Sequence, residues 1–227
     1  MILRNLNSIM DNPWLAFVDI LTMLAAIVIC ITIHEFSHAF LAYKFGDDTA
    51  KLEGRLTINP IKHLDPVGSI MLLFVGFGWG KPVPVTPSNV RGNRSRNLAI
   101  ISLAGPASNL IAAAAFGFML RLGLSSMGDS LSTLTVLVVL DFIYILIYIN
   151  VLLAIFNLIP VAPLDGSKIL SAILPEKFTP LLIQFERWGP PILFLTIIVD
   201  AFALNIGILS RIIGPIVGNV VKLFVGF

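Results

Sequence analysis

His34, Glu35 and His38 stand within Ile31–Gly46, "ITIHEFSHAFLAYKFG", a run whose other residues are mostly apolar. On a helix, side chains four apart share one face, separated by about 6 Å of rise and about 40° of rotation. Two imidazoles so placed can both reach one metal ion at roughly 2.0–2.1 Å. Glu35 projects about 100° away from His34 around the axis. It can therefore meet the ion's open position without being a ligand, and take a proton from water there. That is the mechanical content of H-E-x-x-H in zinc peptidases. Ionisable groups at membrane depth are costly unless paired or coordinated, which makes them functional candidates. The alternative is a polar helix end carrying three interfacial side chains.

A catalytic zinc needs a third protein ligand and an open position. The chain has three histidines, and the remaining one, His63, sits in a polar connection. The carboxylates in apolar surroundings are Asp19, Asp141, Asp165 and Asp200. Asp19 lies fifteen residues before His34 on one helix, about 22 Å away, too far to share an ion. Asp141 begins a later span at the opposite side of the membrane, and Asp200 lies deep in a span with no partner nearby in sequence. Asp165, in "FNLIPVAPLDGSKIL", falls just past the third span, on the side where His34 and His38 lie. Pro160 and Pro163 stop that span from continuing, and Gly166 permits a tight backbone. An unwound segment at membrane depth is tolerated where it lines a cavity. Asn157 is expected to face that cavity and donate a hydrogen bond to an oxyanion. The alternatives are a packing amide at Asn157 and a helix-capping carboxylate at Asp165.

The elements that carry these residues belong in lipid. The chain has 227 residues, 57% hydrophobic and 12% charged, with a mean hydropathy of +0.94; a soluble domain is roughly a quarter charged. A net charge of +2, dispersed along the chain, does not suggest nucleic-acid binding. One cysteine, Cys30, excludes an internal disulfide framework. Met1 to Pro13 is polar, and the apolar run after it exceeds the roughly 7–15 residues of a signal-peptide core, so no cleavable leader is expected. Spans of about 20 apolar residues are expected at about Trp14–Phe45, Leu98–Leu122, Leu131–Leu158 and near Pro190–Ile213. The tail beyond Gly214 either extends the last or lies along the interface. Val67–Gly80 is apolar but too short to span, and reads as a re-entrant hairpin or buried loop. A small sheet is expected around Leu52–Asn59 and Lys81–Val85.

The fold class is thus an all-α polytopic membrane protein with about 4–6 transmembrane helices and a small β or re-entrant segment between the first two. It is expected to form a single domain over 1–227: a core at about 14–175, a cytoplasmic or re-entrant connection at 46–97, and C-terminal helices at 176–227. With four spans, Arg4, Arg121, Arg211 and Lys222 fall on one side and the other Lys and Arg residues on the opposite side. The positive-inside rule then puts the 46–97 connection and the active site toward the cytoplasm in a multi-pass cell-membrane protein, with both termini outside.

"HEFSH" together with "NLIPVAPLDG" resembles the site-2 protease family of intramembrane zinc metalloproteases. "GRLTINPIKHLDPVGSI", "GWGKPVPV" and "AGPASN" resemble the connection and second core helix of its compact prokaryotic members, which lack a PDZ domain. The likeness runs from about residue 25 to residue 175. It implies one zinc ion per chain on His34, His38 and Asp165, with Glu35 as catalytic base and Asn157 helping to hold the substrate carbonyl. It further implies hydrolysis of peptide bonds in or near a membrane helix of a membrane-anchored substrate protein, after local unwinding. Such a substrate strand could pair with the sheet expected near Leu52–Asn59, or the loop could plug the site. Asn59 and Asn109 read as structural. Two rival classes are a membrane metal transporter and a non-catalytic relative that binds membrane helices.

Overall fold

The computed structural model describes residues 12–75, 78–126, 133–200 and 208–226. Arg4, most of the polar N-terminal stretch and the start of the expected third span lie outside them. The first helix, α1 (Pro13–Lys44), starts where Asn12 accepts the N–H of Leu15 and Pro13 supplies a fixed φ. Its 32 residues make it about 48 Å long, more than the roughly 30 Å of bilayer hydrocarbon, so its last turns emerge with Lys44. A short helix α2 (Thr49–Leu52) follows.

Helix α3 (Pro66–Val75) has ten residues, about 15 Å, too few to cross. The chain doubles back after it because two glycines permit backbone contact. A Cβ on Gly68 would lie 2.2 Å from the Trp79 carbonyl oxygen, and one on Gly78 would lie 2.2 Å from that of Gly68. An antiparallel bridge between Leu64 and Gly80 closes the hairpin. The re-entrant expectation fits the described part of this segment. The small sheet is not formed: among the described residues that bridge is isolated. Leu52–Asn59 instead leaves α2 through a turn at Gly54 (φ +65°) and enters a 3-10 turn at Pro60–Lys62.

Helices α4 (Arg94–Ser126) and α5 (Thr133–Asn157) are the next long apolar helices. Helix α6 (Asp165–Ile173) is short, and α7 (Thr179–Ile198) and α8 (Ile208–Val225) complete the described chain. Among the described residues four helices are long and apolar enough to cross a membrane: Pro13–Lys44, Arg94–Gly123, Val138–Asn157 and Thr179–Ile198.

The last of these begins before the expected Pro190–Ile213, of which residues 201–207 lie outside the described residues. Pro190 and Pro191 lie inside α7 rather than at its start; membrane helices tolerate proline where neighbours satisfy the freed backbone groups. The tail helix α8 packs against the bundle. Its Ile213, Val217, Val221 and Val225 pack on Ala113 and Leu120 of α4 and Ile147 and Val151 of α5. Arg121 at the far end of α4 donates to the carbonyls of Leu223 and Val225, at 2.6 and 3.1 Å.

Candidate metal centre

His34 and His38 fall one turn apart on α1, and their rings meet edge to face with centroids 4.7 Å apart. Asp165 opens α6, where Gly166 brings the chain against the end of α5. A Cβ at Gly166 would lie 2.4 Å from the Leu158 carbonyl oxygen, so only glycine fits without backbone movement. Asp165 Oδ2 thereby comes within 3.1 Å of both His34 Nε2 and His38 Nε2, which are themselves 3.1 Å apart. All three residues are buried, 6%, 7% and 7% exposed, so the interfacial alternative for the histidines does not hold. Nor does the capping alternative for Asp165, since its helix has Leu164 as N-cap and no side-chain cap hydrogen bond. Its other oxygen lies 3.8 Å from Lys168 Nζ, whose side chain is largely exposed; such a pair contributes little.

The donor chemistry tests whether a cation fits. His38 Nδ1 faces the Ile101 carbonyl at 2.7 Å, and His34 Nδ1 faces Asn109 Oδ1 at 2.6 Å. Both partners are acceptors, so each Nδ1 donates and each ring, when neutral, presents an Nε2 lone pair. Those two nitrogens and a carboxylate oxygen converge on one point. A cation answers that arrangement, and these three residues form a group of possible ligands whose donor atoms lie within 4.8 Å of one another. Space is provided from α4: a Cβ on Gly105 would sit 2.4 Å from His38 Nε2 and 2.5 Å from His34 Nε2.

The site opens on a cavity of about 1780 Å³ between α1, the hairpin, α5, α7 and α8, with largely apolar walls such as Ile27, Leu72, Leu152, Phe156 and Phe194. Glu35 and Asn157 both line it. Glu35 Oε2 accepts the backbone N–H of Val83 at 2.9 Å, so the extended "KPVPV" run passes beside the carboxylate. Asn157 Nδ2 donates to the Leu153 carbonyl one turn back, at 3.0 Å. It thus occupies the expected cavity position while making the contact of a packing amide. Asp200 also lines the cavity but is outside the ligand group, and His63 is buried in the connection with Nε2 on the Thr57 carbonyl.

The family model described as "Peptidase family M50" matches residues 22–198. The chain belongs to peptidase family M50. Within this family's reach, it is 43% identical over 169 residues to "Putative zinc metalloprotease YwhC" of Bacillus subtilis, spanning 74% of this chain and 75% of that protein. It is 31% identical over 183 residues to "Putative zinc metalloprotease Rip2" of Mycolicibacterium smegmatis, spanning 79% and 67% respectively. A protein of the same name from Mycobacterium tuberculosis is 27% identical over 195 residues, 84% and 71% of the two chains. No solved structure gives a significant match. This M50 peptidase is a multi-pass membrane zinc metalloprotease of the site-2 type.

Sequence reasoning passed over Gly105 and Asn150, which lie beside the two histidines and Asn109 respectively, and read Asn109 as structural. A signal for each was present. Gly105 and Asn109 are four apart in "AGPASN", hence on one helix face, and Asn150 is an amide within the apolar run "ILIYINVLLAIF".

Proposed function

We propose that His34, His38 and Asp165 hold the zinc ion, one per chain, and that the enzyme cleaves membrane-anchored proteins within or beside a membrane helix. The observation that carries this is the convergence of two imidazole Nε2 atoms and a carboxylate oxygen, mutually 3.1 Å apart, on the wall of an apolar cavity. When bound, zinc supplies Lewis acidity that activates water near neutral pH and polarises the scissile carbonyl. Glu35 takes the proton of the attacking water on its carboxylate and passes it to the leaving amine nitrogen. The Val83 N–H on Oε2 orients that carboxylate, leaving Oε1 as the proton carrier. Asn157 turns its amide from Leu153 to the substrate carbonyl. The apolar walls exclude bulk water and receive a locally unwound helix, whose released backbone groups need partners.

The 1–227 chain is taken as one protease domain lying in the cell membrane, with the site toward the cytoplasm. The positive-inside count supports this side. The Arg121 contacts with the end of α8 support placing the C-terminus opposite the charged connection. In this setting the activity serves regulated intramembrane proteolysis. A transporter would need ligands strung across the bilayer; among the described residues one group of three possible metal ligands is found.

Glu35→Gln is the test. It is expected to retain one zinc per chain while cleavage of a membrane-anchored substrate falls about 10²–10⁴-fold, the usual contribution of a positioned acid–base. Unchanged cleavage, or zinc lost together with activity, would overturn the assignment.

A further inference from the structure

Behind His34 the polar contacts do not end at Asn109. Asn109 is fully buried, as is Asn150 on α5, and buried amides need partners for both ends of the group. Asn109 Nδ2 donates to the Cys30 carbonyl at 3.1 Å and to Asn150 Oδ1 at 2.7 Å. Asn150 Nδ2 in turn donates to the Leu146 carbonyl at 2.8 Å and contacts Cys30 Sγ at 3.0 Å. The backbone carbonyls fix which end of each amide is nitrogen. Asn109 Oδ1 is therefore left as an acceptor, aimed at His34 Nδ1. The relay runs from the backbone of α5 through Asn150 and Asn109 to the histidine on α1. His38 has no such relay, because its Nδ1 meets a backbone carbonyl directly.

We propose that Asn109, held in place by Asn150, is a positioning residue for the metal centre: it fixes the tautomer and ring plane of His34 and thereby sets zinc affinity. The inference rests on the assignment of His34 as a ligand. Outer partners of ligating histidines orient the ring and raise its basicity, and losing one lowers metal affinity about 10–100-fold. Two amides at zero exposure inside a membrane bundle could serve helix association alone, so the test must separate packing from ligand orientation.

Zinc affinity is measured on the full detergent-solubilised chain by competition with a chromophoric chelator. Asn109→Leu, similar in size but unable to accept the Nδ1 proton, is expected to bind zinc about 10–100-fold more weakly. Asn109→Asp keeps an acceptor oxygen and is expected to recover most of that loss. With cobalt substituted for zinc, the absorption bands of Asn109→Leu should shift, because the His34 ring is no longer held in its plane. Wild-type affinity in Asn109→Leu overturns the proposal. So do unshifted cobalt bands, or an Asn109→Asp variant as weak as the leucine variant. If Asn109→Leu does not fold, Asn150→Leu replaces it, with a smaller loss and a shift of the cobalt bands in the same direction; unshifted bands again overturn the proposal. Failure of the underlying ligand assignment looks different: the wild type binds no zinc, or His34→Ala binds it unchanged.

Discussion

Two helix ends meet at the metal centre, and they are built in opposite ways. Helix α1 runs unbroken through both of its histidines and ends afterwards, at Lys44. Helix α5 ends at Asn157, before Asp165 is reached, and Asp165 belongs to the next helix. On α1 the geometry is local: the helical repeat alone puts two imidazoles on one face. On the α5 side it is delivered by an interrupted backbone, in which Pro160 and Pro163 stop the span and Gly166 lies against the Leu158 carbonyl. A continuous helix gives spacing without any help from the fold. A broken one gives reach, and depends on each close contact that folds it back.

The widest difference between the two sides is tested by removing ligands. Asp165→Ala and His38→Ala are each expected to take bound zinc from one per chain to near none, because a catalytic zinc site needs three protein ligands. Asp19→Ala, on the same helix as His38 but about 22 Å from His34, should leave zinc content unchanged. Metal analysis of the three purified variants checks this, and equal zinc in all of them would remove the ligand assignment.

A narrower test touches no ligand. Gly166→Ala places a methyl 2.4 Å from a backbone oxygen. Overpacking of this kind costs about 1–3 kcal/mol, and here the strain falls on the segment that carries Asp165. Zinc affinity should drop by about tenfold for each 1.4 kcal/mol, with helical content kept. Replacing a small residue on the uninterrupted side, Ala39→Gly, loosens α1 by only about 1 kcal/mol and should affect zinc much less. If the two variants lose affinity equally, the broken segment is no more sensitive than the continuous helix.

These two architectures also explain what was legible in the sequence. The histidine pair and Glu35 follow from periodicity within five residues. Asp165 was found because prolines and a glycine announce an interruption, and because the other carboxylates stood at the wrong depth. The re-entrant hairpin was readable from its length and its glycines. The positions that failed depend on partners remote in the chain. The sheet expected at Leu52–Asn59 rested on an imperfect alternation, with no neighbouring strand to pair with. The last long helix begins before the span expected near Pro190–Ile213, and the bundle accommodates Pro190 and Pro191 inside α7. Asn109 read as packing because nothing in its own helix reveals that Oδ1 faces His34, seventy-five positions earlier.

The smallest effect is expected where α1 hands over to the connection, the counterpart of the proline break after α5. Gly46 turns the chain at φ +95°, and the buried Asp47 collects the rest. Its carboxylate accepts the N–H and hydroxyl of Thr49, the N–H of Thr86 at 2.7 Å and the amide of Asn89 at 3.2 Å. Burial works to raise its pKa, but the hydrogen bonds from Thr49, Thr86 and Asn89 outweigh it and hold the carboxyl below its ordinary value. Asp47→Ala strands several of those donors and is expected to cost about 1–3 kcal/mol. That is a Tm lower by about 2–4 °C per kcal/mol for a chain of this size, with zinc stoichiometry unchanged. Because the folded pKa is depressed, the unfolded chain binds the proton first. The stabilisation is therefore full above about pH 3.9, the ordinary aspartate value, and fades as the pH falls through the lower folded value. Thermal unfolding of metal-free wild type and Asp47→Ala should differ near neutral pH and converge in acid. A gap that persists in acid would mean that Asp47 acts through shape rather than charge, and a loss of zinc in the variant would mean that this end of α1 also holds the metal centre in register.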